Sequence, residues 1–143
     1  MKIAIASDHG GYQLKEQLKE YLSANGHQVI DLGTNSCESV DYPEYGKKCA
    51  EAVVNEEVDR GIVCCGTGIG ISMAANKTKG ARCALCTSPL MAEMTRKHND
   101  ANMLALGERT MIYDEAKDIV DIWLKTEFEG GRHKRRVDQL NEM

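Results

Sequence analysis

The sequence predicts a single-domain, three-layer α/β/α fold with a five-stranded, mostly parallel, Rossmann-like sheet and a C-terminal helical tail. Short apolar runs alternate with segments of helical periodicity along all 143 residues, and no linker, repeat or low-complexity segment interrupts them. Such alternation is typical of a parallel sheet with helices on both faces. The length is that of about one domain, and the hydrophobic content of 42% is ordinary for a globular protein.

The first half of the chain predicts three strands separated by two helices. The first helix carries Leu14, Leu18 and Leu22 at helical spacing and ends before Asn25-Gly26, a pair typical of helix C-termini. The second helix has Pro43 near its start, where proline is tolerated. In chain order, the predicted elements are strand 3–6, helix 12–24, strand 29–32, helix 42–54 and strand 61–65.

The second half continues the alternation and ends in a charged tail. Ser88 and Pro89 should be the N-cap and first residue of the fourth helix, and Asp114 should cap the fifth, which Glu129-Gly130-Gly131 ends. The tail, 132–143, is expected to be helical, and with too few apolar residues to bury a face alone it should pack on a partner subunit. The other predicted elements are helix 69–76 and strands 82–86 and 103–106.

Composition and charge exclude several classes of protein. A net charge of −4 argues against nucleic-acid and anionic-membrane partners, and no apolar run approaches the roughly 18 residues of a membrane helix. The apolar run at the N-terminus is too short for a signal peptide, so we expect the cytoplasm. Six cysteines without such a signal do not indicate a disulfide framework. Cys83 and Cys86 form a CxxC, but their strand-like surroundings favour buried structural cysteines over a redox pair or half a zinc site.

Two loops should lie at the edge of the sheet where ligands bind, outside the carboxyl ends of the strands. One is Asp8-His9-Gly10-Gly11, and the other is Cys65-Gly66-Thr67-Gly68-Ile69-Gly70. Neither has the glycine spacing of a dinucleotide fold or the Lys-Ser/Thr ending of a P-loop, so a nucleotide cofactor is poorly supported. Position alone leaves two interpretations of Cys65, a thiolate favoured by a helix N-terminus or the end of a buried strand.

Other polar residues have a structural and a functional interpretation. Asp8 either caps the first helix or contacts a ligand, and His98 is either a solvated loop histidine or a proton-transfer group oriented by its neighbours. The basic run at 132–136 is a solvated helix face, a nucleic-acid patch or a phosphate clamp. A helix would place Arg132 and Arg136 on one face, and Arg109 would add a third positive group.

Five motifs in order resemble the ribose-5-phosphate isomerase B family and its galactose-6-phosphate isomerase relatives. The similarity runs from the first residue to about Val137, and each motif is weak alone whereas the set is specific. The motifs are Ser7-Asp8-His9-Gly10-Gly11, Asp41-Tyr42-Pro43, the Cys65–Gly70 loop, Arg96-Lys97-His98-Asn99-Asp100 and Glu129-Gly130-Gly131-Arg132-His133.

The resemblance implies an aldose–ketose isomerase, an intramolecular oxidoreductase of the non-oxidative pentose phosphate pathway. It implies that Cys65 is the base that moves a proton between C1 and C2, that His98 opens the sugar ring, and that Thr67 binds a substrate hydroxyl or supports the loop. Backbone N–H groups of the loop would stabilise a cis-enediolate. The implied substrate-binding residues are Asp8, His9, Tyr42, Gly66, Gly68, Ile69, Gly70, Asn99, Arg109, Arg132 and Arg136.

The resemblance also implies no metal, no cofactor and a homodimer whose active sites are shared between subunits, with further assembly into a tetramer left open. Two alternatives stay open at this point. One is a hexose 6-phosphate substrate, allose or galactose 6-phosphate, and the other is a non-catalytic module that binds a phosphosugar or a nucleotide. A thiol-redox protein using the CxxC is a distant third.

Overall fold

The computed structural model describes residues 1–143 and contains one five-stranded sheet in which every pair of neighbouring strands is parallel. The strands are β1 Lys2–Ser7, β2 Gln28–Asp31, β3 Arg60–Cys65, β4 Cys83–Leu85 and β5 Met103–Gly107. Their spatial order is β2-β1-β3-β5-β4, so the chain turns back between β1 and β3. In parallel sheets, ligands bind at the carboxyl end of such a switch point.

Six α-helices cover the sheet and confirm the three-layer prediction. They are α1 Tyr12–Ala24, α2 Tyr42–Val54, α3 Ile69–Ala75, α4 Pro89–Asn99, α5 Tyr113–Lys125 and α6 Arg132–Glu142, with a short 3-10 turn at His9–Gly11. None of these helices has the length and apolar character needed to cross a membrane. The Ser88 hydroxyl accepts a hydrogen bond from the Met91 amide at 3.2 Å, so the predicted N-cap of α4 is correct.

The core has one part on each face of the sheet, and alternating strand residues contribute to each. In β3, Ile62 and Cys64 face the part that includes Leu18 of α1 and Trp123 of α5. Val63 and Cys65 face the other part, beneath α2 and α3. Cys64 and Cys65 are adjacent in sequence but occupy different halves of the core, because successive strand side chains point to opposite faces.

Three local predictions were wrong. The N-cap of α5 is Ile112, with Asp114 inside the first turn, and α5 ends at Lys125, before the glycines. The Ile112 amide donates to the Glu115 carboxylate at 3.2 Å, which satisfies the helix start without a polar cap residue. His98 lies in the last turn of α4, because the helix continues through the polar stretch to Asn99. A basic last turn is favourable there, since the helix dipole is negative at its C-terminus.

The tail forms the predicted helix, α6, but buries a face against its own chain. His133 and Val137, one helical turn apart, are 9% and 5% exposed, and the imidazole of His133 stacks on that of His98 with ring centroids 4.3 Å apart. The Arg82 guanidinium also donates to the Asn141 amide oxygen at 2.7 Å. Counting apolar residues in the tail did not predict this packing, because one of the two buried α6 side chains is the imidazole of His133. The remaining faces of α6 are exposed.

Candidate active site

The predicted loops meet at the carboxyl edge of the sheet, around the end of β3. A methyl group built on Gly10 would lie 3.1 Å from the Gly66 nitrogen, so the turn after β1 abuts the loop after β3. On the other side, the Glu108 amide donates to the Cys65 carbonyl at 3.0 Å and the Arg109 amide donates to the Gly66 carbonyl at 2.8 Å. These contacts place the segments that follow β1, β3 and β5 side by side.

The Cys65 thiol is held by the loop that follows it. Cys65 is 5% exposed, and its Sγ accepts a hydrogen bond from the Gly68 amide at 3.1 Å. Gly68 has φ +79°, and a methyl group at this position would lie 2.7 Å from Leu85 Cδ1, so only glycine fits. An N–H directed at sulfur stabilises a thiolate, which is the form that acts as base or nucleophile.

Neighbouring Cys64 has the opposite environment. It is fully buried, with an exposed fraction of 0%, and faces the apolar core beneath α1 and α5. Burial raises the pKa of the Cys64 thiol far above its ordinary value, and the nearby Cys65 and Glu108 act in the same direction. Of the two adjacent thiols, only Cys65 has a hydrogen-bond donor on its sulfur and lies beside the edge where a ligand could bind.

The loop retains unpaired backbone donors beside this sulfur. The N–H groups of Gly66 and Thr67 make no hydrogen bond within the chain. The Thr67 hydroxyl oxygen accepts from the Ile69 amide at 3.2 Å and therefore supports the loop, while the residue itself is exposed. Free N–H groups next to a thiol are the components of a base with an adjoining oxyanion site.

Asp8 and His9 are fixed by backbone groups on the same edge. The buried Asp8 carboxylate accepts from the Gly11 amide at 3.2 Å, so Asp8 caps the short 3-10 turn at His9–Gly11 and not α1, whose N-cap is Gly11. The Val40 amide donates to His9 Nδ1 at 3.1 Å. Because Nδ1 is then the acceptor, we assign the proton of the neutral imidazole to Nε2, which leaves one N–H free to donate to a ligand.

Tyr42 and Arg109 flank the glycine-rich loop. A methyl group on Gly70 would lie 2.7 Å from Tyr42 Cζ, and one on Gly66 would lie 3.0 Å from Arg109 Nη1. Both side chains therefore rest directly on the loop backbone. Tyr42 and Ile69 are exposed by 40% and 47%, which leaves apolar surface uncovered around the site.

The other predicted site residues lie at the opposite edge of the sheet. The Gly61 amide, at the start of β3, donates to the Asn102 carbonyl at 3.1 Å, and His98 is in the last turn of α4 just before Asn102. The α6 residues Arg132 and Arg136 are both exposed, as a clamp requires. Asn99 belongs to this second group, and its amide oxygen accepts from the Thr95 hydroxyl at 3.2 Å.

The length of β3 separates the two groups. Its six residues span about 17 Å at the usual rise of a strand, so His98 and Cys65 of one chain cannot contact the same small substrate. The first group consists of Asp8, His9, Tyr42, Cys65, the loop to Gly70 and Arg109. The second consists of His98, Asn99, Arg132 and Arg136.

One cavity of the structure lies away from Cys65. It has a volume of ≈ 660 Å³ and lies between the edge strand β4 and α6, with Arg82, Cys83, Asn99 and Leu140 among its lining residues. The cavity contains only Asn99 of the predicted site residues, and its polar lining residues largely bond to one another. The chemistry points to Cys65 rather than to this cavity, because the thiol and the free N–H groups are there.

Sequence reasoning missed the histidine beneath His98. His133 stacks on His98 with an angle of 15° between the rings, and its Nε2 lies 3.6 Å from Glu129 Oε1. The spacing of Glu129 and His133 was the available signal.

The CxxC cysteines lie in different halves of the core, and burial raises the pKa of both thiols, that of Cys86 to about 11. This environment favours structural cysteines.

Comparison with known proteins gives one consistent result. The family model described as Ribose/Galactose Isomerase matches residues 3–140. Ribose-5-phosphate isomerase B of Escherichia coli is 49% identical over 139 residues, which are 97% of this chain and 93% of that protein. The Clostridium thermocellum ribose-5-phosphate isomerase B structure is 60% identical with a TM-score of 0.98, covering 99% of this chain and 96% of that one. The Mycoplasma genitalium ribose-5-phosphate isomerase B structure with bound ribulose-5-phosphate is 44% identical, with a TM-score of 0.94 and coverage of 99% and 94%.

Proposed function

The chain belongs to the ribose/galactose isomerase family, and from this premise we propose that it is an aldose–ketose isomerase that interconverts ribose 5-phosphate and ribulose 5-phosphate. This reaction would place it in the non-oxidative pentose phosphate pathway. The observation that carries the proposed chemistry is the Cys65 thiol, which receives the Gly68 N–H at 3.1 Å beside two unpaired backbone donors.

Cys65 acts as the base. Its thiolate removes the proton from C2 of the open-chain aldose, which gives a cis-enediolate, and the thiol then returns a proton to C1 while the hydroxyl proton moves from O2 to O1. Negative charge develops on the two oxygens, and the Gly66 and Thr67 N–H groups are the donors available to stabilise it. Removal of one such donor typically costs about 10²–10³ in rate. The reaction needs neither an external oxidant nor a cofactor.

The phosphate would be held away from Cys65. His9 offers Nε2–H, and guanidinium groups match phosphate oxygens in two-point contacts. Arg132 and Arg136 are exposed on α6 and make no salt bridge within the chain, so they are free to bind an anion. Remote phosphate binding then orients the reacting carbons. Tyr42, Ile69 and Asn99 would contact the sugar.

Two subunits would build each active site. Within one chain, the length of β3, about 17 Å, separates Cys65 from the edge of the sheet at which His98 and α6 lie, so these residues would serve this reaction through a second copy. A two-fold homodimer supplies the same pair of contacts twice. Exposed apolar side chains at the carboxyl edge, Ile69 at 47% and Leu90 at 64%, favour a partner there. The dimer would retain the predicted role of the tail at the subunit interface.

Mixing of inactive subunits tests this shared site. Cys65→Ala and His98→Ala homodimers should each be nearly inactive, whereas a heterodimer would have one site with both residues intact. Random reassociation of equal amounts should therefore restore about 25% of wild-type activity, since half the dimers have one intact site of two. No recovery on mixing, with subunit exchange verified by mass spectrometry, would contradict sharing.

Substrate length distinguishes the pentose from the hexose alternatives. The Mycoplasma genitalium relative is described with bound ribulose-5-phosphate, which supports the pentose. A coupled assay should give a higher kcat/KM for ribose 5-phosphate than for allose or galactose 6-phosphate. Turnover of a hexose phosphate alone would overturn the assignment.

Thiol alkylation separates the enzyme from a non-catalytic phosphosugar-binding module. If Cys65 is the base, a small alkylating agent should inactivate the protein, and ribose 5-phosphate should protect it.

Six unpaired cysteines fit a reducing compartment, so we place the protein in the cytoplasm.

A further inference from the structure

His98, Glu129 and His133 form a cluster of metal-binding groups at the junction of α4 and α6. One ligand atom from each residue lies within 4.8 Å of those of the other two. We propose that this cluster binds a divalent transition-metal ion such as Zn²⁺ through two imidazole nitrogens and one carboxylate oxygen. Imidazole and carboxylate are ordinary zinc ligands, and three protein ligands with an open fourth position make a complete site.

His133 provides the fixed ligand of this metal cluster. It is 9% exposed, and its Nε2 is already 3.6 Å from Glu129 Oε1. A metal ion would bind through the lone pair of an imidazole nitrogen in the unprotonated form of the ring.

Metal binding requires one side-chain rearrangement. Lone pairs of imidazole lie in the ring plane, and two rings stacked at 15° do not direct them to a common point. With bonds of about 2.0–2.1 Å, tetrahedral ligands lie roughly 3.3 Å apart. To reach that spacing, the His98 ring would have to rotate and the Glu129 carboxylate would have to move closer; His98 is half-buried and Glu129 is exposed, so these two side chains have the freedom to move.

The surrounding charge limits the affinity. The exposed Arg132 is next to His133 and opposes a cation, while Glu129 contributes the one negative charge among the ligands. We therefore expect a Kd on the order of micromolar rather than the much tighter binding of closed structural zinc sites.

Occupancy would inhibit the isomerase, and this consequence rests on the proposed function. A metal ion that takes a His98 nitrogen removes it from ring opening. The inhibition should be stronger with cyclic substrate than with substrate already in the open-chain form, and a chelator should reverse it. The binding itself does not depend on the reaction, so the two can be measured separately.

Direct titration of the full-length protein tests the site. Competition between the protein and a chromophoric zinc indicator should give one Zn²⁺ per chain. Glu129→Gln and His133→Asn should each weaken binding at least about tenfold, because each removes one of three ligands. Glu142→Gln, an exposed carboxylate at the other end of α6, is the matched control and should leave binding unchanged. Unchanged Zn²⁺ affinity in Glu129→Gln would overturn the proposal even if His133→Asn fails to fold.

Cobalt spectroscopy excludes binding by thiols. Bound Co²⁺ should give only the weak visible bands of nitrogen and oxygen ligands, and binding should persist in Cys65→Ser. A thiolate charge-transfer band, or loss of binding in Cys65→Ser, would refute the His98–Glu129–His133 site. If Zn²⁺ binds as proposed but does not inhibit turnover of cyclic ribose 5-phosphate, the metal site stands and the ring-opening role of His98 fails.

Discussion

Replacement of Cys65 by alanine separates catalysis from stability. The variant loses the acceptor of the Gly68 N–H, which is worth about 1 kcal/mol, and one buried heavy atom, which is worth about 1 kcal/mol more. The free energy of unfolding should fall by about 2 kcal/mol, and the Tm by roughly 3–8 °C. If Cys65 is the base, kcat should fall by about 10²–10⁴ at a temperature where the protein stays folded.

Cys64→Ala is the matched control. The substitution is identical and the position is the next residue, but Cys64 faces the core beneath α1 and α5 and is 0% exposed. Removal of one buried atom should lower the free energy of unfolding by about 1 kcal/mol, since the Cys64 thiol has no hydrogen-bond partner to lose. Its kcat should stay within about threefold of wild type.

The measurements are thermal unfolding followed by circular dichroism and a coupled isomerase assay at 25 °C on both variants. A Cys65→Ala protein with near-normal kcat would refute the base assignment. Equal loss of activity in the two variants would also refute it, because packing at the end of β3 would then explain the effect.

Three further predictions concern His98, Arg132 and the ion pairs that Asp31 makes with Lys15 and Lys19. His98→Ala should impair turnover of cyclic substrate more than turnover of open-chain substrate in stopped-flow assays, and equal loss would contradict ring opening. Arg132→Ala should mainly raise KM, whereas Arg135→Ala, equally exposed on α6, should leave KM unchanged; equal effects would exclude a specific phosphate contact. Burial opposes ionisation of Asp31, but the Lys15 and Lys19 ammonium groups outweigh it, so the pKa of Asp31 lies below its ordinary value. The stability that ionised Asp31 contributes is therefore present above about pH 4, and it is lost as the pH falls through the folded-state pKa of Asp31. Asp31→Asn should lower the Tm at pH 7, because it removes a carboxylate from the fully buried Lys15, and it should lower the Tm less at pH 3; an equal drop at both pH values would contradict the ion pair.

Local rules were enough for most of the fold. The apolar runs of β1, β3 and β5 and the helical spacing of α1 depend on residues close in sequence, so their periods appear directly in the chain. The glycine-rich loop after Cys65 was equally clear, since a strand followed by glycines and a helix is a local pattern. Errors of local structure were confined to element ends, such as the start of α5 at Ile112, where a backbone amide bonds to Glu115 instead of to a capping side chain. The packing of α6 against its own chain was missed as well.

The resemblance supplied the site residues, but only the tertiary structure decided which of them can act together. The strand order β2-β1-β3-β5-β4 places the loops after β1, β3 and β5 side by side around Cys65, and no local pattern specifies that order. It also places His98 and Arg132 at the other end of the sheet, away from Cys65. The stacking of His133 on His98 joins residues 35 apart in sequence, and such contacts depend on how α6 packs on α4. The sequence by itself determined the elements and their chemistry, because these arise from neighbouring residues; the division of the site arises from long-range packing.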